Sequence, residues 1–332
     1  MIKIKRILCP IDLSADADQA LAYALRLAQA YEARLVVCYC VKPAEVLGGR
    51  SYPPAPPVRT PEVAYAMSRG RVKELFEGSI IKLLGPVRSA NLDWEALVIE
   101  SEDVGEAITR IASERDIDLI VMRSRRRPHR AAVLGSTAES VCRTAPCPVL
   151  VTHTDEREWF DEPRGKLRLE RLLVAYDFSD YAELALKYAL SLAQEHQTEL
   201  HVLHVLPTGT VNEPELAWYP LGKDTAYHQA ARRLQRAIPQ EAHLWCKIKH
   251  AVSQGHPYRE ILNYAEKHSI DLISLGAHGA GFGIRTLFGS NVDRVLRQAP
   301  CPVLVASPLK PAVTGNLESK LTNDAVHASS PC

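Results

Sequence analysis

The sequence predicts an α/β protein made of two tandem doubly wound domains, each with a five-stranded parallel sheet. Three observations carry this. Short apolar runs alternate with helical stretches along the chain. Several of those runs are unbroken Val, Ile and Leu, the mark of strands buried on both faces by flanking helices. The alternation also occurs twice. "DLSADADQALAYALRLAQ" from Asp12 realigns with "DFSDYAELALKYALSLAQ" from Asp177 at a shift of 165, and Ala145–Val151 realigns with Ala299–Val305 at a shift of 154.

In the first copy "IKRILCPI" is a strand and 15–32 a helix. "RLVVCYCV" is the second strand, 62–84 a helix, "WEALVIE" the third strand and 103–115 a helix. "DLIVM", a helix over 136–144 and "CPVLVT" complete the copy. The second copy runs "RLLVAY", helix 180–196, "ELHVLHVL", helix 223–237, "HLWCKIKHAV", helix 257–268, "DLISLG", helix 290–298 and "CPVLVA". Leu21, Leu25 and Ala28 form one helical stripe facing a sheet. Ser14 and Ser179 stand where N-caps belong. The domains are 1–154 and 169–307, joined by a charged linker over 155–168 and followed by an aperiodic tail over 308–332, expected to be loosely held. The extra residues of the first copy fall mostly in a Pro-rich loop over 42–62.

With 46% hydrophobic and 24% charged residues the chain reads as soluble and globular. A net charge of +1 gives no global field for nucleic acid or an anionic membrane. No apolar run reaches the ~20 residues of a membrane span. "MIKIKRILCPID" enters a strand without a signal-peptide core, so the cytoplasm is the expected compartment. Cys38 and Cys40 share one strand face and would suit a metal, but they read as core thiols in their apolar run. No disulfide framework is expected of a cytosolic chain.

Five glycines fall within 276–289, at the carboxyl end of the fourth strand of copy two. In an open α/β sheet ligands bind there, where the strand order reverses. Glycine tolerates positive φ, so successive N–H groups can turn toward one anion. Gly289, Ser290 and Asn291 open a helix whose N–H groups suit phosphate. Asp177, ending the first strand, would accept hydrogen bonds from ribose or adenine, as would carbonyls near Val205. The same glycines would also serve a tight loop without a ligand, and Asp177 a helix start. His278 reads as a solvated loop residue. This is neither a Walker A loop nor a Rossmann fingerprint.

These residues resemble a tandem universal stress protein. The family pattern G-x2-G-x9-G-[ST] stands here as Gly276, Gly279, Gly289 and Ser290, followed by "APCPVLV"; Gly255-His256-Pro257 is similar to the family's approach to its third helix. The resemblance implies strand order 3-2-1-4-5 in each copy and an adenine nucleotide α-hydrolase-like fold. It implies ATP, with or without magnesium, contacted by Ala175, Tyr176, Asp177, Val205, Leu275, Gly276, Gly279, Gly289, Ser290, Asn291 and Val292. It also implies an intrachain pseudo-dimer, in which Cys147–Thr152 and Cys301–Ala306 cover each other's open edges, with a further homodimer as an option.

Copy one keeps Asp12, Gly135 and Ser136. It has Arg123 and Arg126 where copy two has Gly276 and Gly279, and Glu102 where copy two has Gly255. Arginine cannot bring bare backbone to a phosphate, so this copy is expected not to bind ATP in the family's way. The loop "RSRRRPHR" over 123–130 reads as a solvated basic loop, with an anion clamp as the alternative. His201 and His204, three apart on a strand, face opposite sides. No catalytic or metal-binding motif is present, so at most slow ATP hydrolysis is expected. The functional expectation is a nucleotide-binding stress-response regulator with an unidentified protein partner; the alternative is a non-nucleotide scaffold or a binder of small, including apolar, ligands.

Overall fold

The structure is a computed structural model that describes residues 3–12, 18–41, 74, 77–78, 81–82, 92–124, 135–153, 156, 159–161, 166–207, 223–279 and 289–307. Ser14, the Pro-rich loop, most of helix 62–84, Arg125–Arg130, Gly281, Gly283 and the tail lie outside the described residues.

The first copy contains β1 (Arg6–Ile11), α1 (Asp18–Tyr31), β2 (Arg34–Val41), β3 (Trp94–Glu100), α2 (Val104–Glu114), β4 (Leu119–Arg123), α3 (Ser136–Thr144) and β5 (Val149–Thr152). A short ribbon of β6 (Phe160–Asp161) and β7 (Lys166–Leu167) follows. The second copy contains β8 (Arg171–Ala175), α4 (Asp180–His196), β9 (Glu199–Pro207), α5 (Lys223–Ala237), β10 (Ile248–Gly255), α6 (Pro257–Lys267), β11 (Leu272–Gly276), α7 (Ser290–Gln298) and β12 (Val303–Ala306).

All but the β6–β7 ribbon join one ten-stranded sheet of order β10-β9-β8-β11-β12-β5-β4-β1-β2-β3. Each half therefore has the 3-2-1-4-5 order, with parallel neighbours throughout. The halves meet where β12 pairs antiparallel with β5, Val303 to Val151, Leu304 to Leu150 and Val305 to Val149. Leu150 and Leu304 are repeat equivalents, so a pseudo-twofold axis runs between them. Tyr31 and His196, also equivalents, meet across it with Tyr31 Oη 3.1 Å from His196 Nε2. The exposed fifth-strand edge of each copy is thus covered by its twin.

Strand residues divide between two apolar layers. Ile7, Cys9, Leu35 and Val37 pack with α1 and α4 on one face, while Leu8, Val36 and Cys38 pack with α2 and α3 on the other. Both layers continue through copy two, which explains the unbroken apolar runs. Asp118 and Asp271 perform the same task in each copy. Asp118 Oδ2 accepts from the N–H groups of Lys5 and Arg6 at 2.7 and 2.9 Å, and Asp271 Oδ2 from those of Glu170 and Arg171 at 2.9 and 2.8 Å. Each carboxylate fixes the start of strand one against strand four. Ser179 caps α4 as expected, its Oγ accepting from Ala182 N–H at 3.2 Å.

Two expectations change. The strand expected over 243–252 is a 3-10 turn, Gln240–Leu244, followed by a strand from Ile248. Cys246 N–H turns back to the Ala242 carbonyl at 3.0 Å, so that Ala242 and Cys246 enter the core with Ile238, and Leu244 is left 85% exposed. Within the charged 155–168 stretch Trp159 is an anchor. It is 3% exposed, stands edge-on to Tyr23 at 5.1 Å, and donates from Nε1 to the Asp271 carbonyl at 2.6 Å. Among the described residues no helix is long and apolar enough to cross a membrane.

Candidate functional site

At the carboxyl ends of β8, β9 and β11 lies a cavity of about 340 Å³, closed on one side by the start of α7. The sheet creates it. Tyr176 N–H makes the last bond across to Leu203, at 2.8 Å, and the chain then turns away into α4. Strand β9 runs on to Pro207 beside β10, so Val205 faces the side that β8 has left.

All eleven residues expected at the site line this cavity. Ala175, Tyr176 and Asp177 come from the end of β8, and Val205 from β9. Leu275, Gly276 and Gly279 come from β11 and the turn after it. Gly289, Ser290, Asn291 and Val292 come from the first turn of α7. Tyr176 turns its ring into the core, where its hydroxyl donates to Glu183 Oε2 at 2.8 Å. Burial, then Glu183, pushes its pKa above the ordinary phenol value, so it is neutral in the folded protein. Asp177 Oδ1 accepts from Ser179 N–H at 3.0 Å and from Ser179 Oγ at 2.6 Å. These bonds hold the carboxylate at the mouth of the cavity.

The glycines act by close approach and not by handedness. None of Gly276, Gly279 and Gly289 takes a left-handed φ, which corrects the positive-φ expectation for these three. A Cβ on Gly276 would lie 2.6 Å from the Tyr181 carbonyl carbon and 2.9 Å from Ala182 N, so the first turn of α4 occupies that space. A Cβ on Gly279 would lie 2.9 Å from Asp177 Oδ2. Gly289 is less crowded; a Cβ there would meet Val292 Cγ2 at 3.4 Å. It begins α7 at φ −60 without a side-chain cap, so the helix start presents its backbone N–H groups.

His278 is not solvated. It is 8% exposed, with its ring 4.9 Å from that of Tyr181. Among the wall residues that sequence reasoning missed are Phe178, His204 and Arg233. Phe178 has φ 65, a left-handed backbone that is rare and strained for a bulky residue. Its ring lies 4.6 Å from His204 and 5.2 Å from Tyr176, and the Arg233 guanidinium carbon sits 3.9 Å above it. His204 Nδ1 lies 2.8 Å from the Tyr176 carbonyl, and burial lowers its pKa below the ordinary imidazole value, partly offset by that bond. His201 lies on the other face, as expected, bonded to Tyr264 and Glu199. No sequence signal marks Phe178 as left-handed. Arg233 would have been found by asking which residue of α5 reaches over the end of β9.

In copy one, Arg123 takes the place of Gly276, pairing with Thr152 as Gly276 pairs with Ala306. Gly135 and Ser136 open α3 as Gly289 and Ser290 open α7.

Two 3-2-1-4-5 units joined through their fifth strands define a tandem doubly wound α/β protein. The universal stress protein family profile matches residues 3–153 and 168–307, and the chain belongs to that family. It is 28% identical over 304 residues to a universal stress protein of Mycolicibacterium smegmatis, covering 91% of this chain and 97% of the relative. A universal stress protein of Mycobacterium tuberculosis is 29% identical over 306 residues, covering 90% and 95%. The crystal structure of a universal stress protein from Archaeoglobus fulgidus superposes with a TM-score of 0.61 at 20% identity, covering 92% of this chain and 98% of that one.

Proposed function

We propose that this universal stress protein binds ATP in the C-terminal crevice and acts as a cytoplasmic regulator or binding module, with at most slow hydrolysis. The observation that supports the reading is the convergence on one cavity of a carboxylate, bare glycine backbone and an uncapped helix start. Asp177, with the backbone at Ala175, Tyr176 and Val205, would recognise the nucleoside. Gly276, Gly279, Gly289, Ser290, Asn291 and Val292 would hold the phosphates through main-chain N–H groups and the Ser290 hydroxyl. Leu275 and Val292 supply apolar wall. Phe178, with Arg233 over its ring and His204 tilted against it, adds an aromatic surface to the same wall. A magnesium ion would ride on the phosphates. The N-terminal crevice, with Arg123 in place of Gly276, does not bind ATP in this reading.

Titration calorimetry tests it. ATP should bind with one site per chain, and Gly279→Arg should abolish the heat without unfolding the protein. Two equivalent sites, or unchanged affinity in Gly279→Arg, would overturn the assignment. The apolar walls also suit a small non-nucleotide ligand, and a chain that melts at the same temperature with and without ATP would favour that second reading.

A further inference from the structure

The N-terminal crevice differs from its twin in chemistry as well as in its arginines. The repeat places Cys38 in the register position of Leu203 and Cys40 in that of Val205. Cys38 pairs with Pro10 and Leu97, as Leu203 pairs with Ala175 and Ala251; Cys40 pairs with Ile99, as Val205 pairs with Ser253. Two thiols therefore stand where copy two lines its cavity. Both belong to the apolar layer under α2, whereas Cys9 belongs to the opposite layer. Cys38 is fully buried, as its reading as a core thiol expects, but Cys40 is only partly buried at the edge of the same apolar layer.

We propose that this pair is a redox site: a hydroperoxide oxidises Cys40, and Cys38 resolves the product to a Cys38–Cys40 disulfide. Three features support it. The sulfurs are hydrogen-bonded neighbours, and Arg110 of α2 lies close enough to act on Cys40. The Cys38 bond, then the Arg110 charge, lowers the Cys40 pKa below the ordinary thiol value against the opposing effect of burial, while Cys38 is raised. The nucleophile is thus the more exposed sulfur. Finally, Cys40 lies past the last β1–β2 pair, Ile11 with Tyr39, and among the described strands pairs only with β3, at Ile99. A disulfide brings Cβ atoms to about 3.5–4.5 Å, closer than residues two apart on an extended strand hold them, so the strand end must pucker to close the bond.

In the first step the Cys40 thiolate attacks one peroxide oxygen. The O–O bond breaks, the sulfur becomes a sulfenic acid, and the alkoxide or hydroxide leaves with a proton as alcohol or water. In the second, Cys38 attacks the Cys40 sulfur, the S–O bond breaks, and the expelled hydroxide takes the Cys38 proton as water. A dithiol reductant reverses the disulfide. The other described cysteines, Cys9, Cys142, Cys147, Cys246 and Cys301, are buried, and burial raises the pKa of Cys9, Cys142, Cys147 and Cys246.

The test uses the full-length chain carrying Cys332→Ser, treated with hydrogen peroxide and analysed by peptide mass mapping. Cys40 should be consumed roughly tenfold faster than any other thiol, giving a peptide that has lost two hydrogens and regains them with dithiothreitol. In Cys38→Ala the reaction should stop at a sulfenic acid on Cys40 that dimedone traps. Oxidation spread evenly over the thiols, a parent Cys40 that survives peroxide, or an unchanged product pattern in Cys38→Ala would each overturn the proposal. The parent map requires no core substitution, so the outcome stands even where a variant folds poorly.

Discussion

Gly276→Ala isolates the reason for a glycine at the end of β11. The added Cβ would stand 2.6 Å from the Tyr181 carbonyl carbon, 2.7 Å from Tyr181 Cβ and 2.9 Å from Ala182 N. Carbon atoms settle at about 3.5–4.0 Å, so roughly 1 Å must be recovered. Strand β11 cannot yield, being paired with β8 on one side and β12 on the other. Helix α4 is tied to the same strand by Ser274 Oγ, which donates to the Ala185 carbonyl at 3.1 Å. The obstacle is helix backbone and not the tip of a mobile side chain, so the helix start must lift. Such overpacking costs about 1–3 kcal/mol. For a unit of this size that corresponds to a fall in Tm of roughly 2–12 °C. Urea unfolding and a thermal melt, both without nucleotide, measure it. A variant melting within about 1 °C of the parent would refute the packing argument; Gly276 would then owe its place to a ligand alone.

Gly279→Ala should behave differently. Its Cβ meets only Asp177 Oδ2, a side-chain atom and not helix backbone, so Tm should fall less than in Gly276→Ala while ATP affinity measured by calorimetry falls severalfold. Trp159→Ala removes the stack on Tyr23 and the bond to Asp271; it should cost about 3–5 kcal/mol, read from the urea midpoint. Trp159→Phe keeps most of the stack and should cost about 0.5–1.5 kcal/mol for the lost hydrogen bond. The buried His201 and His204 both have pKa values lowered by burial, so the folded state disfavours their protonated forms. Their contribution is complete above the ordinary imidazole pKa and is lost as pH falls below it, so Tm should decline between about pH 7 and 5. His204→Phe should flatten that decline. Glu199, held at about 2 by Lys247, Lys249 and His201, contributes only to the later loss, below the ordinary carboxylate pKa.

The repeat made most of the architecture legible. Two shifted alignments within one chain gave both five-stranded units, while the strand order and the seam between the matched "APCPVLV" segments came from the resemblance to the universal stress protein family and are borne out by the β5–β12 pairing. The cavity wall was legible where glycine, serine and aspartate lie at strand ends. It was hidden where tertiary packing overrides local preference. Nothing intrinsic to phenylalanine predicts the left-handed turn at Phe178, which is held by rings and a guanidinium from elsewhere in the fold. The apolar residues of "HLWC" read as a strand, but a backbone bond from Cys246 to Ala242 turns these two inward together and leaves Leu244 exposed. Trp159 was concealed in a stretch of charges, where its value lies in the contact it makes across more than a hundred residues of sequence.

The seam between β5 and β12 has a consequence for divergence. When two identical subunits pair by their fifth strands, every substitution is imposed on both crevices at once. Here the partner is supplied by the same polypeptide, so dilution cannot separate them and neither must resemble the other. One crevice can keep its glycines while the other accumulates arginine and cysteine, and a single molecule can carry two unrelated chemistries on one continuous sheet.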